Sequence, residues 1–479
     1  MRTHALRRLR RWFNLRRTLA LAFLLALASW IGVNAYLGRL SSVPTPFVPE
    51  LPDTESIQRL LVVAPHCDDE VLAAGGLIRE VLARNGRVQV VLITNGDGSF
   101  SGTIVEYRKL YPGATDYIRA GSARQRESLN ALAALGVPND DVFSLSYPDR
   151  GVMRLWEQFW DSGRPFRSPY TRATKSPYTR TYNPAAVYSG HALLSDLGTI
   201  IQDFDPDAVV APHPADVHPD HWAAGAFTAL ALAQQQRLPK TRLLLYLVHR
   251  ADYPLPRGYL PFAPLLPPAR LVNDTQAWGR VTLADETVEQ KAAALSRYRS
   301  QFPLLGGFLR SFVRHNELFA EPLFQVVPRL ATEQPVTPDA TEWRTSDGSP
   351  VKPVAEDSTR DSTSQELGAG ADFVALYAAQ TDSELWISAE LRGNSNPLLS
   401  YTCLVRAVNG AEVAISRILY PPRLGSRPRD EALGHFVLVR FRLAELGYPR
   451  SAVVSFSVNY PGGKTIDRIG WAVINLNQR

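Results

Sequence analysis

The chain has only two cysteines, Cys67 and Cys403, in 479 residues, and so few this far apart provide no disulfide framework. It also lacks a basic surplus outside its extreme N-terminus. The formal net charge is +6, but residues 1–17 contain seven arginines and no acidic residue. Without those arginines the rest of the chain stands at −1. The basic stripe that nucleic-acid binding asks for is missing, and that class is excluded. From Thr18 to Leu37 there is no charge of either sign over 20 residues.

What is present begins with that uncharged run. About 20 apolar residues is what one helix needs to cross a bilayer. Arginine-rich flanks stay on the cytoplasmic side, so residues 1–17 read as a cytoplasmic tail and 18–37 as a transmembrane signal-anchor. Trp30 and Tyr36 fall toward its far end, where amphipathic rings suit an interface. The competing reading is a signal peptide cleaved near Ala28 or Ala35. Arg16-Arg17 is only a weak twin-arginine signal in so arginine-rich a stretch. Both main readings export the protein, and an exported chain so poor in cysteine suits a bacterial extracytoplasmic enzyme.

Residues 38–56 are rich in Pro and Ser and read as a spacer. From Leu60 the pattern alternates. LLVVA (60–64), VQVVLIT (88–94), DVFSL (141–145), DAVVA (207–211) and RLLLYLV (242–248) are strand candidates. Helical stretches at 70–84, 122–135, 189–203 and 219–236 lie between them. This alternation predicts an α/β fold over 57–330, a parallel sheet covered by helices on both faces. The Tyr-, Arg- and Pro-rich segment 151–188, with SPYTR at 168–172 and again at 176–180, reads as an elaborated loop. Residues 331–370 are polar and Pro-rich, as in a linker. Over 371–479 the apolar residues recur with period two, in ELWISAEL, YTCLVRAV, EVAISRIL, HFVLVRFRL, AVVSFSV and GWAVIN, which predicts a small β-sandwich.

Two clusters carry the chemistry. Pro65-His66-Cys67-Asp68-Asp69-Glu70 follows the first strand, and His213-Pro214-Ala215-Asp216-Val217-His218-Pro219-Asp220-His221 follows DAVVA. Both fall at carboxyl ends of predicted parallel strands, where open α/β sheets bind ligands. Two imidazoles and one carboxylate are a good zinc set, and His66, Asp69 and His221 would supply it. Asp68 beside them can serve as the base for an attacking water. A further histidine can stabilise an oxyanion and protonate a leaving amine.

PHCDDE followed by HPDH resembles the PIG-L/LmbE-like N-acetylglucosamine deacetylases, whose first motif usually reads (P/A)HPDDE. The resemblance runs over roughly 60–320. It includes TNGDG (94–98), Arg124-Gln125-Arg126-Glu127, Tyr147-Pro148-Asp149 and NELF (316–319). It implies a Rossmann-like fold with Zn2+ on His66, Asp69 and His221, and Asp68 as general base. His218, oriented by Asp220, would stabilise the tetrahedral intermediate, and Arg124 and Asp149 would contact the sugar. The implied activity is removal of an N-acetyl group from an N-acetylglucosamine-type sugar in an extracytoplasmic glycan.

Cys67 departs from the family's proline and reads as a small side chain in the turn. His213 reads as structural, Asp216 as a support for one of the histidines. Trp222 reads as a core residue or a sugar platform, and His249 as a possible pocket wall. Two further readings stand beside the deacetylase: a zinc amidase acting on a larger acyl-amine conjugate, and a glycan-binding surface protein with a vestigial enzyme domain. The β-sandwich supplies none of the metal-site residues and reads as a glycan-binding or organising module, its Trp386, Tyr401 and Tyr460 favoured as core residues. A truncation ending near Ala331 is therefore expected to fold.

Overall fold

The computed structural model describes residues 18, 20–32, 47–99, 102–104, 109–238, 240–272, 276–322, 324–332, 334–357, 368–410, 412–420 and 432–476. Five parallel strands form the centre: β1 (Arg59–Ala64), β2 (Arg87–Thr94), β3 (Val142–Tyr147), β4 (Ala208–Pro212) and β5 (Arg242–Tyr246). Two antiparallel strands, β6 (Gln276–Thr282) and β7 (Asn316–Pro322), extend one edge, in the order β3-β2-β1-β4-β5-β7-β6. Residues Leu60–Ala64 and Ala208–Pro212 are buried throughout. A strand covered on both faces can bury an unbroken apolar run of this kind. The helices are α1 (Asp69–Ala83), α2 (Ala114–Ala134), α3 (Val152–Glu157), α4 (Gly190–Phe204), α5 (Pro219–Gln234), α6 (Asp285–Leu295) and α7 (Phe302–Arg310). The strand order reverses between β1 and β4. That switch point is where a doubly wound sheet opens a crevice at its carboxyl ends.

Helix α1 breaks at Ala74, whose φ of −136° and ψ of 15° are not helical. A break of this kind leaves backbone N–H groups without their carbonyl partners four residues earlier. The carboxylate of Glu317 on β7 accepts from Gly76 N (2.7 Å) and Leu77 N (2.8 Å), and Lys291 Nζ neutralises it at 2.6 Å. The NELF residues thus help to hold α1.

The second half of the chain forms two sheets, antiparallel but for one short parallel pair at the edge of the second. One has β9 (Pro353–Glu356), β10 (Phe373–Gln380), β11 (Glu384–Leu391), β14 (Ala432–Leu433) and β15 (Phe436–Arg442). The other has β8 (Gln325–Val326), β12 (Ser400–Asn409), β13 (Glu412–Tyr420), β16 (Ser451–Asn459) and β18 (Ala472–Asn475), with β17 (Thr465–Arg468) paired to β16. Phe373, Ile387, Cys403, Val405 and Phe456 from both sheets share one buried core, as in a sandwich.

Four expectations change. Residues 331–370 are not simply a linker: Trp343 is fully buried with Ala340 and Val351, and β9 joins a sheet. Residues 47–56 of the expected spacer run beside β6, where Leu51 N donates to Arg280 O (2.7 Å) and Glu50 pairs with Arg280 (2.7 Å). Of the expected membrane segment 18–37, residues 18 and 20–32 are helical and exposed, while 19 and 33–37, like the tail 1–17, lie outside the described residues. Among the described residues no helix is long and apolar enough to cross a membrane, so the expected span is not found there. Finally, the sandwich is not a separate body. Leu404, Val408, Val453, Trp471 and Val473 are buried in the same core as the α5 residues Phe227 and Leu230. Arg406, 1% exposed, lays its guanidinium over Trp160 (4.0 Å) and Trp156 (5.0 Å) and donates to Trp156 O.

Candidate active site

Both motifs reach the crevice from its two sides. After β1, Thr94 N donates to Pro65 O (2.9 Å), tying the first turn to the end of β2. Asp68 then adopts φ 133°, a conformation L-residues rarely take. Strain of this kind costs about 1–3 kcal/mol and persists only where neighbours impose it. Here Asp68 N donates to Glu70 Oε2 (2.9 Å), while Glu70 Oε1 accepts from Ser128 Oγ and Tyr298 Oη, both at 2.6 Å. Arg124, buried, donates Nη2 to Cys67 O and Nη1 to Gly96 O, both at 2.9 Å. Gln301, its amide oxygen turned to the guanidinium, accepts from Arg124 Nη2 (2.7 Å). Gly96 has φ 64°, and a Cβ there would lie 2.2 Å from the guanidinium, so only glycine fits beneath it.

The second motif caps α5. His218 is its N-cap and Pro219 opens its first turn, a residue suited to that place because no N–H is needed there. His221 follows one turn later. His66 Nδ1 lies 3.2 Å from Asp69 Oδ2 and 3.2 Å from His221 Nε2, and those two atoms are 3.0 Å apart. Three donors thus form a nearly equilateral triangle. Zinc bonds of about 2.0–2.1 Å in tetrahedral geometry set ligand atoms roughly 3.3 Å apart, so the triangle suits such an ion. His249 brings a fourth donor within 4.8 Å of the others, and His66, His218 and Asp220 form a second convergent group.

Charge points the same way. Burial lowers the pKa of His221, yet Asp216 and Asp69 outweigh it and raise it to about 9. His66 is raised well above its ordinary value against the same burial by Asp149, Asp220 and Asp69. The cluster draws positive charge, as a cation would supply. Asp69 is held well below the carboxylate range despite its burial, by His221 and His66. Asp68 goes the other way. Burial, with Asp69 and Glu70 beside it, pushes its carboxyl up to about 7 against the pull of Arg124. His218 is lowered to about 2 by burial and by the neighbouring His66, His221 and His249. Its Nδ1 accepts from Asp220 N (3.3 Å). A neutral ring whose Nδ1 accepts carries its proton on Nε2, by this assignment from the hydrogen bond.

The expected site residues come together, some in other roles. His66, Asp68, Asp69, His218 and His221 share the crevice. Asp220 does not orient His218 with its carboxylate, which accepts from Arg150 N (2.5 Å) and Val152 N (3.1 Å) and faces His66 Nε2 at 3.5 Å. Asp216 supports His221 instead: its Oδ2 is 3.1 Å from His221 Nδ1, though off the hydrogen-bond axis, and accepts from Val248 N and His249 N. Arg124 joins two loops through backbone carbonyls and lies 3.7 Å from Asp68 Oδ1. Asp149 accepts from Gly98 N (2.6 Å) and stands 3.4 Å from His66 Nε2. Cys67 is fully buried, its thiol pushed up by burial and directed at Thr94 O, away from the donor triangle. His213 accepts from Ala215 N and stacks on Trp278, a structural place.

Sequence reading missed Asp97 and Tyr178. Tyr178, in the second SPYTR copy, donates to Asp97 Oδ2 (2.5 Å), tying the 151–188 segment to the turn after β2. The duplicated SPYTR was visible, but nothing in it said which tyrosine turns inward.

Residues 61–232 match the family model PIG-L, GlcNAc-PI de-N-acetylase. Among curated proteins nothing matches the chain. Among solved structures, the A40926 pseudoaglycone deacetylase Dbv21 is similar at 19% identity and TM-score 0.34, over 55% of this chain and 96% of its own. The N,N'-diacetylchitobiose deacetylase from Pyrococcus horikoshii is similar at 20% and 0.34, over 56% and 85%. GalB, the 4-carboxy-2-hydroxymuconate hydratase from Pseudomonas putida, is similar at 18% and 0.33, over 58% and 100%. The family match spans both the turn after β1 and the start of α5, and residues 61–232 of this chain are a PIG-L family domain.

Proposed function

We propose that this protein is a metal-dependent hydrolase that removes the N-acetyl group from an N-acetylglucosamine-type sugar. The observation that carries the reading is the His66–Asp69–His221 triangle, with a second buried carboxylate, Asp68, on the same strained turn. His66, Asp69 and His221 would hold the ion, Zn2+ by its fit to two imidazoles and a carboxylate. Such an ion, when bound, polarises the amide carbonyl and acidifies water. Asp68, kept from the triangle by its backbone, accepts the proton of the attacking water and returns it to the leaving amine. Arg124 and Glu70 fix Asp68 in that place. His218, neutral and protonated on Nε2, donates a hydrogen bond to the oxygen on which negative charge develops. Asp149 and the Tyr178–Asp97 pair border the crevice and present groups that sugar hydroxyls can meet.

The arginine-rich N-terminus followed by an uncharged run supports an extracytoplasmic place for this reaction. A reporter fused after Arg479 that functions only in the cytoplasm would contradict that location. The activity is tested by acetate release from N-acetylglucosamine-containing substrates before and after exhaustive chelation. Loss on chelation and return with zinc are expected. Full turnover by protein shown to be metal-free would overturn the reading.

A further inference from the structure

One side of the crevice carries apolar side chains that the fold leaves outside. Among the described residues of 47–322, eleven large apolar side chains are exposed, and six of them fall in two short stretches. These are Tyr259, Leu260, Phe262 and Leu266, and Leu304 with Leu305 on α7, Phe262 being 83% exposed. Single exposed apolar residues are ordinary on a protein surface, whereas a contiguous group marks a contact site. The two stretches are tied together. Gly258 N donates to Ser311 Oγ (2.7 Å), just past the end of α7, and Arg314 Nη1 donates to Gly258 O (3.2 Å) and Leu260 O (3.3 Å). Leu304 precedes Phe308 by one turn, so the two share a face of α7. Phe308 carries this surface to the crevice, its ring stacked on His249 with centroids 6.2 Å apart and 17° between planes.

The two stretches bring charge of one sign. Residues 253–273 and 296–315 contain six arginines and no aspartate or glutamate. Arg257 sets its guanidinium over the Phe308 ring (5.9 Å) and Arg310 over Phe302 (5.2 Å). Both arginines are exposed, and neither pairs with a carboxylate among the described residues. Glu127, which reaches this side from α2, accepts from Ser300 N (2.9 Å) and Ser300 Oγ (2.6 Å). Leucine and aromatic tips flanked by arginine are what a peripheral protein presents to an anionic bilayer. The apolar groups enter the headgroup layer and the guanidinium groups meet the phosphates. A protein partner would ask for a polar rim rich in paired hydrogen-bonding groups. The acid-free stretches favour the lipid surface.

We propose that the 257–262 loop and the outer face of α7 dock on an anionic lipid bilayer. Phe262, Leu304 and Leu305 insert, and Arg257 and Arg310 contact phosphate. Docking here holds the His249 side of the crevice near the bilayer. The proposal stands whether or not the hydrolase reading holds, and whether or not residues 18–37 anchor the chain.

The test reads the surface locally in the full chain. Cys67 and Cys403 are both buried, so an environment-sensitive thiol dye can be directed to Phe262→Cys or to Leu305→Cys. Leu398→Cys, on an exposed site of the sandwich, is the control. Vesicles of phosphatidylglycerol with phosphatidylcholine should shift the emission at 262 and 305 to the blue, and a quencher carried on the acyl chains should dim it. The dye at 398 should not respond, and vesicles of phosphatidylcholine alone should give a much smaller shift. Arg257→Gln combined with Arg310→Gln should lower the docked-to-undocked ratio about thirtyfold, from roughly one kcal/mol for each basic side chain near an anionic surface. Dyes at 262 and 305 that behave as the one at 398 overturn the proposal. Equal shifts with neutral and anionic vesicles overturn it too. So does a blue shift without lipid: one that grows with protein concentration assigns the surface to a second copy, and one present at every concentration assigns it to a segment of the chain itself.

Discussion

Asp216 Oδ2 and His221 Nδ1 lie 3.1 Å apart, on the side of the imidazole ring away from Asp69. A carboxylate behind a ligating histidine fixes its tautomer and raises its basicity, and losing such a partner typically costs 10–100-fold in metal affinity. Asp216→Asn should therefore weaken zinc binding by about that factor, read by competition with a chelator of known affinity. Unchanged affinity would show that His221 is oriented by its packing alone.

Asp68→Asn separates base from ligand. Zinc content should remain at one ion per chain while kcat falls by about a hundredfold or more, as removal of a general base does. Asn matches Asp in size, so the exchange asks no more room of the strained backbone at Asp68. Metal lost with the substitution would mean that Asp68 and Asp69 have exchanged roles.

A chain ending near Ala331 is expected to aggregate, contrary to what the composition of the linker suggests. It would bare the PIG-L side of a junction that buries Trp156, Trp222 and Phe227. Each large side chain returned to water forfeits about 1.5–3 kcal/mol. Size-exclusion chromatography decides the matter: a monomeric fragment with undiminished deacetylation would show that the junction is dispensable.

Asp97 gives a pH signature. Burial, with Asp149 nearby, pushes its carboxyl from 3.8 up to about 7 in the folded protein. A raised acid binds more protons folded than unfolded, so it makes stability fall as pH rises from about 4 to about 7. Asp97→Asn, which can still accept from Tyr178, should flatten that fall. Melting temperatures measured from pH 4.5 to pH 8 should decline less in the variant than in the parent, and parallel curves would refute the assignment.

Much of this was legible in the sequence where the physical signal is local. The five parallel strands announce themselves because strands buried on both faces need continuous apolar runs, and each appears within a residue or two of its expected place. Strand β10, FVALYAAQ, does not, because its alanines are small on both faces and break the period of two. The antiparallel edge of β6 and β7 also escapes, since NELF reads as a motif before it reads as a strand. In the crevice, the donor types and their strand-end positions were readable, and the triangle follows from them. Orientation was not. Asp216 and Asp220 sit four residues apart in one motif, and only the start of α5 decides that one faces His221 and the other His66.

Gly225 marks where that helix is tightest. A Cβ there would come within 2.4 Å of Pro212 O and 3.1 Å of the Trp471 indole. The two halves of this chain therefore cannot be exchanged freely among relatives. A chimera receiving another protein's sandwich would need an indole of the same shape opposite that glycine, and a mismatch would reach His221 through one turn of helix. Inheritance of the PIG-L half and of its companion should be joint, with drift at Trp471 limited by a glycine that the Pro212 carbonyl keeps from changing in reply.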